Sequence, residues 1–230
     1  MNRKLLISDY DNTLKCDNFE LFKENIQSIY NFIKNGNYFN ISTARGYDSI
    51  KQEIDTYNIS CNFITCNNGS VIYDSSGNLL YANYIDKADL DYIKNVLYDY
   101  ELHYLDDRGN DVSILNNIID VSILSLFGIN NDIKERLNQF QIDKRNLYIY
   151  LIKNKCTKLD GAKYIQKLLK ISKNNIYSIG DSIDEKEMLI NYNGYRVPTA
   201  YPCLYDENIK QISSVKELIY KIDKKSWFVF

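Results

Sequence analysis

Histidine is almost missing from this 230-residue chain; the one copy is His103. Chemistry built on a serine–histidine–aspartate relay, or on a metal held by several imidazoles, lacks its material here. His103 lies in the alternating, strand-like Glu101-Leu102-His103-Tyr104-Leu105, where it reads as an ordinary solvent-facing residue. Cysteines are few and odd in number: Cys16, Cys61, Cys66, Cys156 and Cys203. Without close pairing they suggest neither a disulfide framework nor a zinc site. Reduced thiols in a cytosolic protein are the simplest reading. Neither sign of charge is in excess. The formal net charge is -2 and the lysines are scattered, so the chain carries no footprint for nucleic acid. No apolar run is long enough to span a bilayer, which argues against a membrane partner. The short run after Met1-Asn2-Arg3-Lys4 also lacks the length and cleavage site of a signal peptide. Proline numbers only 2 against 21 tyrosines, a compositional bias without functional content.

What is present is a large apolar fraction, 45%, enough for one large domain or for a core with an insertion. The chain is organised around Lys4-Leu5-Leu6-Ile7-Ser8-Asp9-Tyr10-Asp11-Asn12-Thr13-Leu14. Its apolar run reads as a buried strand that ends in two carboxylates with one residue between them. In an open parallel sheet, ligands bind where strands end. Side chains alternate with period two, so Asp9 and Asp11 can face one space. Such a pair suits a carboxylate nucleophile with an acid/base partner, assisted by a metal. The competing reading is a polar turn that caps the next helix.

Along the chain, residues 19–34 have helical spacing and a stop at Gly36, followed by a strand at 37–41 that runs into Ser42-Thr43-Ala44-Arg45-Gly46. This rhythm predicts a right-handed parallel crossover. A helix at 48–57 and a strand at 62–65 follow, then the turn-rich Cys66-Asn67-Asn68-Gly69-Ser70 and a hairpin with strands at 71–73 and 79–84. From Asp86 the alternation is lost. A helix through Leu90, Ile93 and Val96 precedes strands at 102–105 and 118–127, a helix at 133–140 and a strand at 147–152. Between the first two of those strands lies a polar loop at 106–111. This block predicts an α+β insertion. Alternation returns with a helix at 158–169, a strand at 175–179, the segment Gly180-Asp181-Ser182-Ile183-Asp184-Glu185, a helix from Lys186, a strand at 195–197 and a helix at 215–222. Residues 224–230 read as a docking last strand.

Four stretches together carry a resemblance. Asp9-Tyr10-Asp11-Asn12-Thr13, Thr43 in Ser42-Thr43-Ala44-Arg45, Lys158 at a helix start, and Gly180 to Glu185 resemble the four ordered motifs of the haloacid dehalogenase superfamily. The long gap between the second and third resembles the type II cap group, the Cof-like sugar-phosphatase branch. Asn68-Gly69 resembles the turn those proteins carry before the cap. The resemblance implies an α/β fold: a Rossmann-like doubly wound parallel sheet core formed by residues 1–78 and 157–230, with a smaller α+β cap domain at 79–156.

The resemblance also implies roles. Asp9 is expected as nucleophile, and Asp11 as the acid that protonates the leaving oxygen and the base that activates water. Thr43 and Lys158 are expected on the phosphoryl group, with Lys158 also neutralising Asp9. Asp9, the backbone carbonyl of Asp11, and Asp181 are the expected Mg²⁺ ligands. The substrate is expected to be a small phosphorylated metabolite. Alternatives are a phosphotransferase or mutase using the same intermediate, and a catalytically silent metabolite-binding protein. Oligomeric state has no signature in the sequence.

The chain departs from the branch pattern Gly-Asp-x-x-Asn-Asp, because Asp184 stands where Asn is expected and Glu185 where Asp is expected. Glu185 then either reaches the metal through water or anchors Lys158, and the two acids share the supporting role. Asn12 and Ala44 each replace a common glycine, the first mildly because Asn tolerates a left-handed turn. Arg45 faces substrate or forms a surface ion pair, with the first preferred. Taken singly, Thr43 reads as a helix cap, Lys158 as a solvated lysine, and Gly180 to Glu185 as an acidic helix start.

Overall fold

The computed structural model describes residues 3–112, 123–144, 149–206 and 208–225. Strand β1 (Leu5–Ser8) is completely buried and has neighbours on both edges. Its side chains alternate between two apolar layers. Leu6 packs with the first helix, α1 (Phe19–Lys34), while Leu5 and Ile7 pack on the opposite face. Asn18 caps α1 by accepting from the Leu21 amide at 3.0 Å. The chain returns as β2 (Tyr38–Ser42), runs through α2 (Tyr47–Tyr57) and enters β3 (Phe63–Cys66), all three strands parallel. Antiparallel β4 (Val71–Asp74) and β5 (Leu79–Ala82) extend that edge. The expected boundary between residues 78 and 79 therefore needs correction. β5 hydrogen-bonds to β4, so the central sheet continues through residue 82.

A second unit follows, built from α3 (Lys87–Val96), β6 (Leu102–Leu105), β7 (Ile123–Phe127), α4 (Asn131–Arg136), β8 (Gln141–Lys144) and β9 (Ile149–Lys153). Its strands form an antiparallel sheet in the order β6-β7-β9-β8. Ile93, Val96, Leu124, Leu126, Leu137 and Phe140 form its core. The helix expected at 133–140 is shorter and earlier, and the polar segment after it becomes β8, which the sequence did not suggest. Residues 118–122 and 147–148 of the two expected strands lie outside the described residues.

The chain then re-enters the first sheet through α5 (Lys158–Leu169), β10 (Ile176–Gly180), α6 (Lys186–Asn191), β11 (Asn193–Arg196), β12 (Lys210–Gln211) and α7 (Val215–Lys225). The central sheet reads β12-β11-β10-β1-β2-β3-β4-β5. Helices α1, α2 and α7 cover one face, and α5 and α6 the other. This is the doubly wound α/β arrangement the sequence implied. Lys224 and Lys225 belong to α7 rather than to a last strand, and residues 226–230 lie outside the described residues. Chain order reverses at β1, whose neighbours are β2 on one side and β10 on the other. The crevice outside the carboxyl ends of β1 and β10 is thus where such a sheet binds ligands.

Candidate active site

Beyond β1 the chain leaves the sheet at Asp9, whose amide still donates to the Ile179 carbonyl of β10 at 3.0 Å. The next residues close a compact turn. Leu14 N–H donates to the Asp9 carbonyl at 3.3 Å and Lys15 N–H to that of Tyr10 at 2.8 Å. Asn12 holds the left-handed conformation, φ 58°, which Asn adopts more readily than most residues. Ala44 is not among the described residues with positive φ, so the loss of glycine there carries no strain.

Four charged groups from three parts of the chain meet below this turn. Asp9 is 6% exposed, Asp181 5%, Lys158 3% and Glu185 0%. Lys158 Nζ donates to Asp9 Oδ1 at 2.6 Å and also to Glu185 Oε1. The other oxygen of Glu185 accepts from Ser182 N at 2.7 Å and Ser182 Oγ at 2.8 Å. The longer side chain of Glu185 thus anchors Lys158 while fixing the loop after β10. Of the two readings open for Glu185, the geometry selects the anchor. Lys158 is no solvated lysine. Asp181 Oδ1 accepts from Thr13 Oγ1 at 3.1 Å, and its charge acts on Asp9.

One ammonium faces three buried acids, and this sets their protonation. Burial pushes the Asp9 carboxyl up to about 8 against the pull of Lys158, and the Glu185 and Asp181 charges add to the rise. Asp181 is raised too, first by burial and then by Glu185. Burial pulls Lys158 down, but its two carboxylates outweigh that and hold it firmly protonated.

Asp11 sits apart from this group and half exposed. Both of its oxygens are taken by Arg45, Nε to Oδ2 at 2.8 Å and Nη2 to Oδ1 at 2.6 Å. Arg45 Nη1 also reaches Glu53 of α2 at 3.4 Å. Arg45 therefore grips the expected acid/base residue, an ion pair of the kind its second reading gave it. Thr43 is buried, and its Oγ1 accepts from the Arg45 amide at 3.1 Å. It is not a helix cap, because α2 is preceded by Gly46 as its N-cap and has no side-chain cap.

Asn68 also has positive φ, 54°, and its Nδ2 donates to the exposed Asp184 at 3.4 Å. Asn68 Oδ1 is buried without a partner among the described residues. Beside Lys158 opens a cleft of about 350 Å³, bounded by Asn68, Asp184, Ile183 and, from the second unit, Gln141. The expected residues thus come together as Asp9, Glu185 and Asp181 around Lys158, with Asp11 beside Arg45, and Thr43, Asn68 and Asp184 around them. Glu53 and Gln141 were not singled out from the sequence. For Glu53 the available signal was two cations near the motifs, Lys15 and Arg45, with no acid assigned to them.

The residues fit a magnesium ion. The set is all oxygen, and its buried carboxylates crowd negative charge around a single ammonium. Among the described residues no three acidic, histidine or cysteine side chains converge as ligands. Asp9 and Asp181 are the buried oxygen donors that suit Mg²⁺, which takes few carboxylates and keeps several waters.

Residues 6–147 match the sequence model of the haloacid dehalogenase-like hydrolases. A protein of Buchnera aphidicola subsp. Baizongia pistaciae named "Putative phosphatase" is 24% identical over 80% of this chain and 82% of its own. An uncharacterised protein of Mycoplasma capricolum is 33% identical, but over only 36% of this chain, and the match spans about a third (33%) of that protein's length. A haloacid dehalogenase-like hydrolase of Bacteroides thetaiotaomicron shares the fold, with a TM-score of 0.75 at 14% identity over 96% of this chain and 100% of its own.

Proposed function

The chain belongs to the haloacid dehalogenase-like hydrolases, and on that premise we propose that it hydrolyses the phosphate monoester of a small metabolite through an aspartyl-phosphate on Asp9. The observation that carries this reading is the Lys158 ammonium, buried between Asp9 and Glu185 within the charge of Asp181. A carboxylate and a phosphate ester repel one another, so attack depends on positive charge and orientation. Lys158 supplies the first and the turn after β1 the second.

Asp9 attacks phosphorus, and the bond to the ester oxygen breaks. Asp11, protonated from solvent as it leaves one Arg45 contact, gives that proton to the departing alkoxide, then takes a proton from the water that attacks the phosphorus of the aspartyl-phosphate, releasing Asp9. Thr43 donates to a phosphoryl oxygen. Because Arg45 holds both Asp11 oxygens, Asp11 gives up one of these contacts to reach the leaving group. Magnesium, held by Asp9, Asp181 and the Asp11 carbonyl, would supply charge neutralisation for the phosphoryl group.

On this reading the four-stranded unit is the cap, and Gln141 is its contribution to the cleft beside Lys158. The cleft joins amides and acids to Ile183 and Ile190, and none of its lining residues is aromatic. Such a surface suits the hydroxyls and CH faces of a sugar phosphate better than a nucleotide base. No helix among the described residues is long and apolar enough to cross a membrane.

The test is phosphate release by the purified protein with Mg²⁺ from a panel of sugar phosphates, nucleotides and cofactor phosphates. Activity on at least one ester, abolished by Asp9→Asn, is the expected result. Failure on every ester, with the metal bound normally, overturns the reading.

A further inference from the structure

We propose that Glu53 is a positioning residue for Asp11, acting through Arg45. The inference rests on the phosphatase reading for its catalytic consequence, but its geometry stands alone.

Glu53 lies on α2, outside every motif that carries the family likeness. Its Oε2 accepts from Tyr10 Oη at 2.7 Å and from Lys15 Nζ at 2.6 Å, and its Oε1 from Arg45 Nη1 at 3.4 Å. One carboxylate thus ties the hydroxyl of the residue before Asp11 to the cation that holds Asp11, and it also pairs with the Lys15 side chain. Tyr10 is buried between them, and its ring lies under the Arg45 guanidinium at 5.3 Å. The guanidinium is a rigid planar fork, so it orients the carboxylate it grips only as well as it is oriented itself. An arginine side chain left to itself samples many rotamers. Glu53 on its third nitrogen and Tyr10 on its face remove that freedom.

The arrangement also suits turnover. Asp11 has both oxygens on Arg45 and releases one to reach the ester oxygen. Glu53 is then the second acceptor that keeps the guanidinium in place while Asp11 turns. A purely structural role is the alternative: Glu53 would only neutralise Lys15 and satisfy the Tyr10 hydroxyl.

Two variants of the full-length protein, assayed with Mg²⁺ and p-nitrophenyl phosphate, separate these roles. Glu53→Gln is expected to lower kcat by about 10-fold with KM within about twofold, a fraction of the roughly 10²–10⁴-fold that a positioned acid/base supplies. Lys15→Met, which removes only the neutralised cation, is expected to stay within about twofold of the parent. On an Arg45→Lys background, Glu53→Gln is expected to add less than about twofold, because the two residues act as one unit. A loss in Lys15→Met equal to that in Glu53→Gln, or full additivity with Arg45→Lys, assigns Glu53 the structural role and overturns the proposal.

A second measurement does not depend on turnover. In ¹⁵N-arginine-labelled protein, with Arg45 assigned through Arg45→Lys, solvent exchange of the Arg45 Nε–H is expected to quicken severalfold in Glu53→Gln. An unchanged rate overturns the proposal. Should the parent protein release no phosphate from any ester, the phosphatase reading fails while this exchange rate still decides whether Glu53 holds Arg45.

Discussion

Gly69 and Thr157 meet backbone to backbone: a Cβ on Gly69 would stand 2.0 Å from the Thr157 carbonyl oxygen. Gly69 also has φ +101°, a conformation that side-chain-bearing residues rarely adopt. One turn later, Gly161 has its own missing Cβ 2.7 Å from Thr65 Cγ2 and 3.1 Å from Gly69 Cα. The two glycines let the first turn of α5 settle onto the 3-10 turn Asn67–Gly69 that follows β3. Lys158, the residue after Thr157, is delivered to Asp9 by that close approach.

Gly69→Ala is therefore expected to destabilise the protein by about 1–3 kcal/mol through strain and overpacking. It should also lower activity by moving Lys158 off Asp9. Urea unfolding and phosphate release measure the two effects. An unchanged urea midpoint would show that α5 has another way to seat.

Lys158→Met leaves Asp9, Asp181 and Glu185 buried together with no cation. Removing one partner of a buried ion pair costs about 3–5 kcal/mol. Here the loss should be smaller below about pH 8, where Asp9 carries a proton, than above it. Denaturant melts at two pH values check this, and a loss independent of pH would contradict it.

The raised Asp9 carboxyl gives the metal-free protein a stability that depends on pH. Its folded value, about 8, lies above the ordinary 3.8. Between those values the folded state binds more protons than the unfolded state. The Asp9 contribution is fully present below about 3.8 and is lost as pH rises through about 8. The unfolding midpoint in chelator should thus fall across neutral pH for Asp9 and stay flatter in Asp9→Asn. Millimolar Mg²⁺ should restore stability most at the upper end. Parallel profiles for parent and variant would refute this account.

The loop at 106–111 tests how the two units hold together. Arg108 pairs with Asp48 at the start of α2, and its backbone carbonyl accepts from the Asp48 amide at 3.2 Å. Both side chains are more than a third exposed, so a double-mutant cycle should give a coupling of only about 0–1 kcal/mol. Apolar packing is expected to matter more. Tyr47 and Tyr73 stack at 3.9 Å, and the Arg108 guanidinium lies 4.8 Å over the Tyr47 ring. Tyr47→Ala should lower the melting temperature more than Asp48→Ala, and the reverse order would assign the joint to charge.

Much of the fold was legible where local signals are strong. The helices at residues 19–34 and 158–169 carry clear apolar faces, and their bounds agree with those read from spacing. β8 and β12 escaped because their sequences, Gln141 to Lys144 and Lys210-Gln211, are polar and short, and tertiary pairing alone makes them strands. The site divides in the same way. Residue types and order pointed to Asp9, Lys158 and Asp181. Partners did not follow from order, since only the packed sheet decides that Glu185 reaches Lys158 and that Arg45 turns to Asp11.

The middle position of β1 has a consequence for synthesis. Its partner β10 leaves the ribosome some 170 residues later, and Leu5, Leu6 and Ile7 have a bare strand edge until then. Asp9 and Lys158 are 149 positions apart, and Glu185 follows later still. A nascent chain that stops short of Glu185 thus offers a sticky edge and an incomplete charge cluster. The last third of translation both closes the sheet and creates the catalyst.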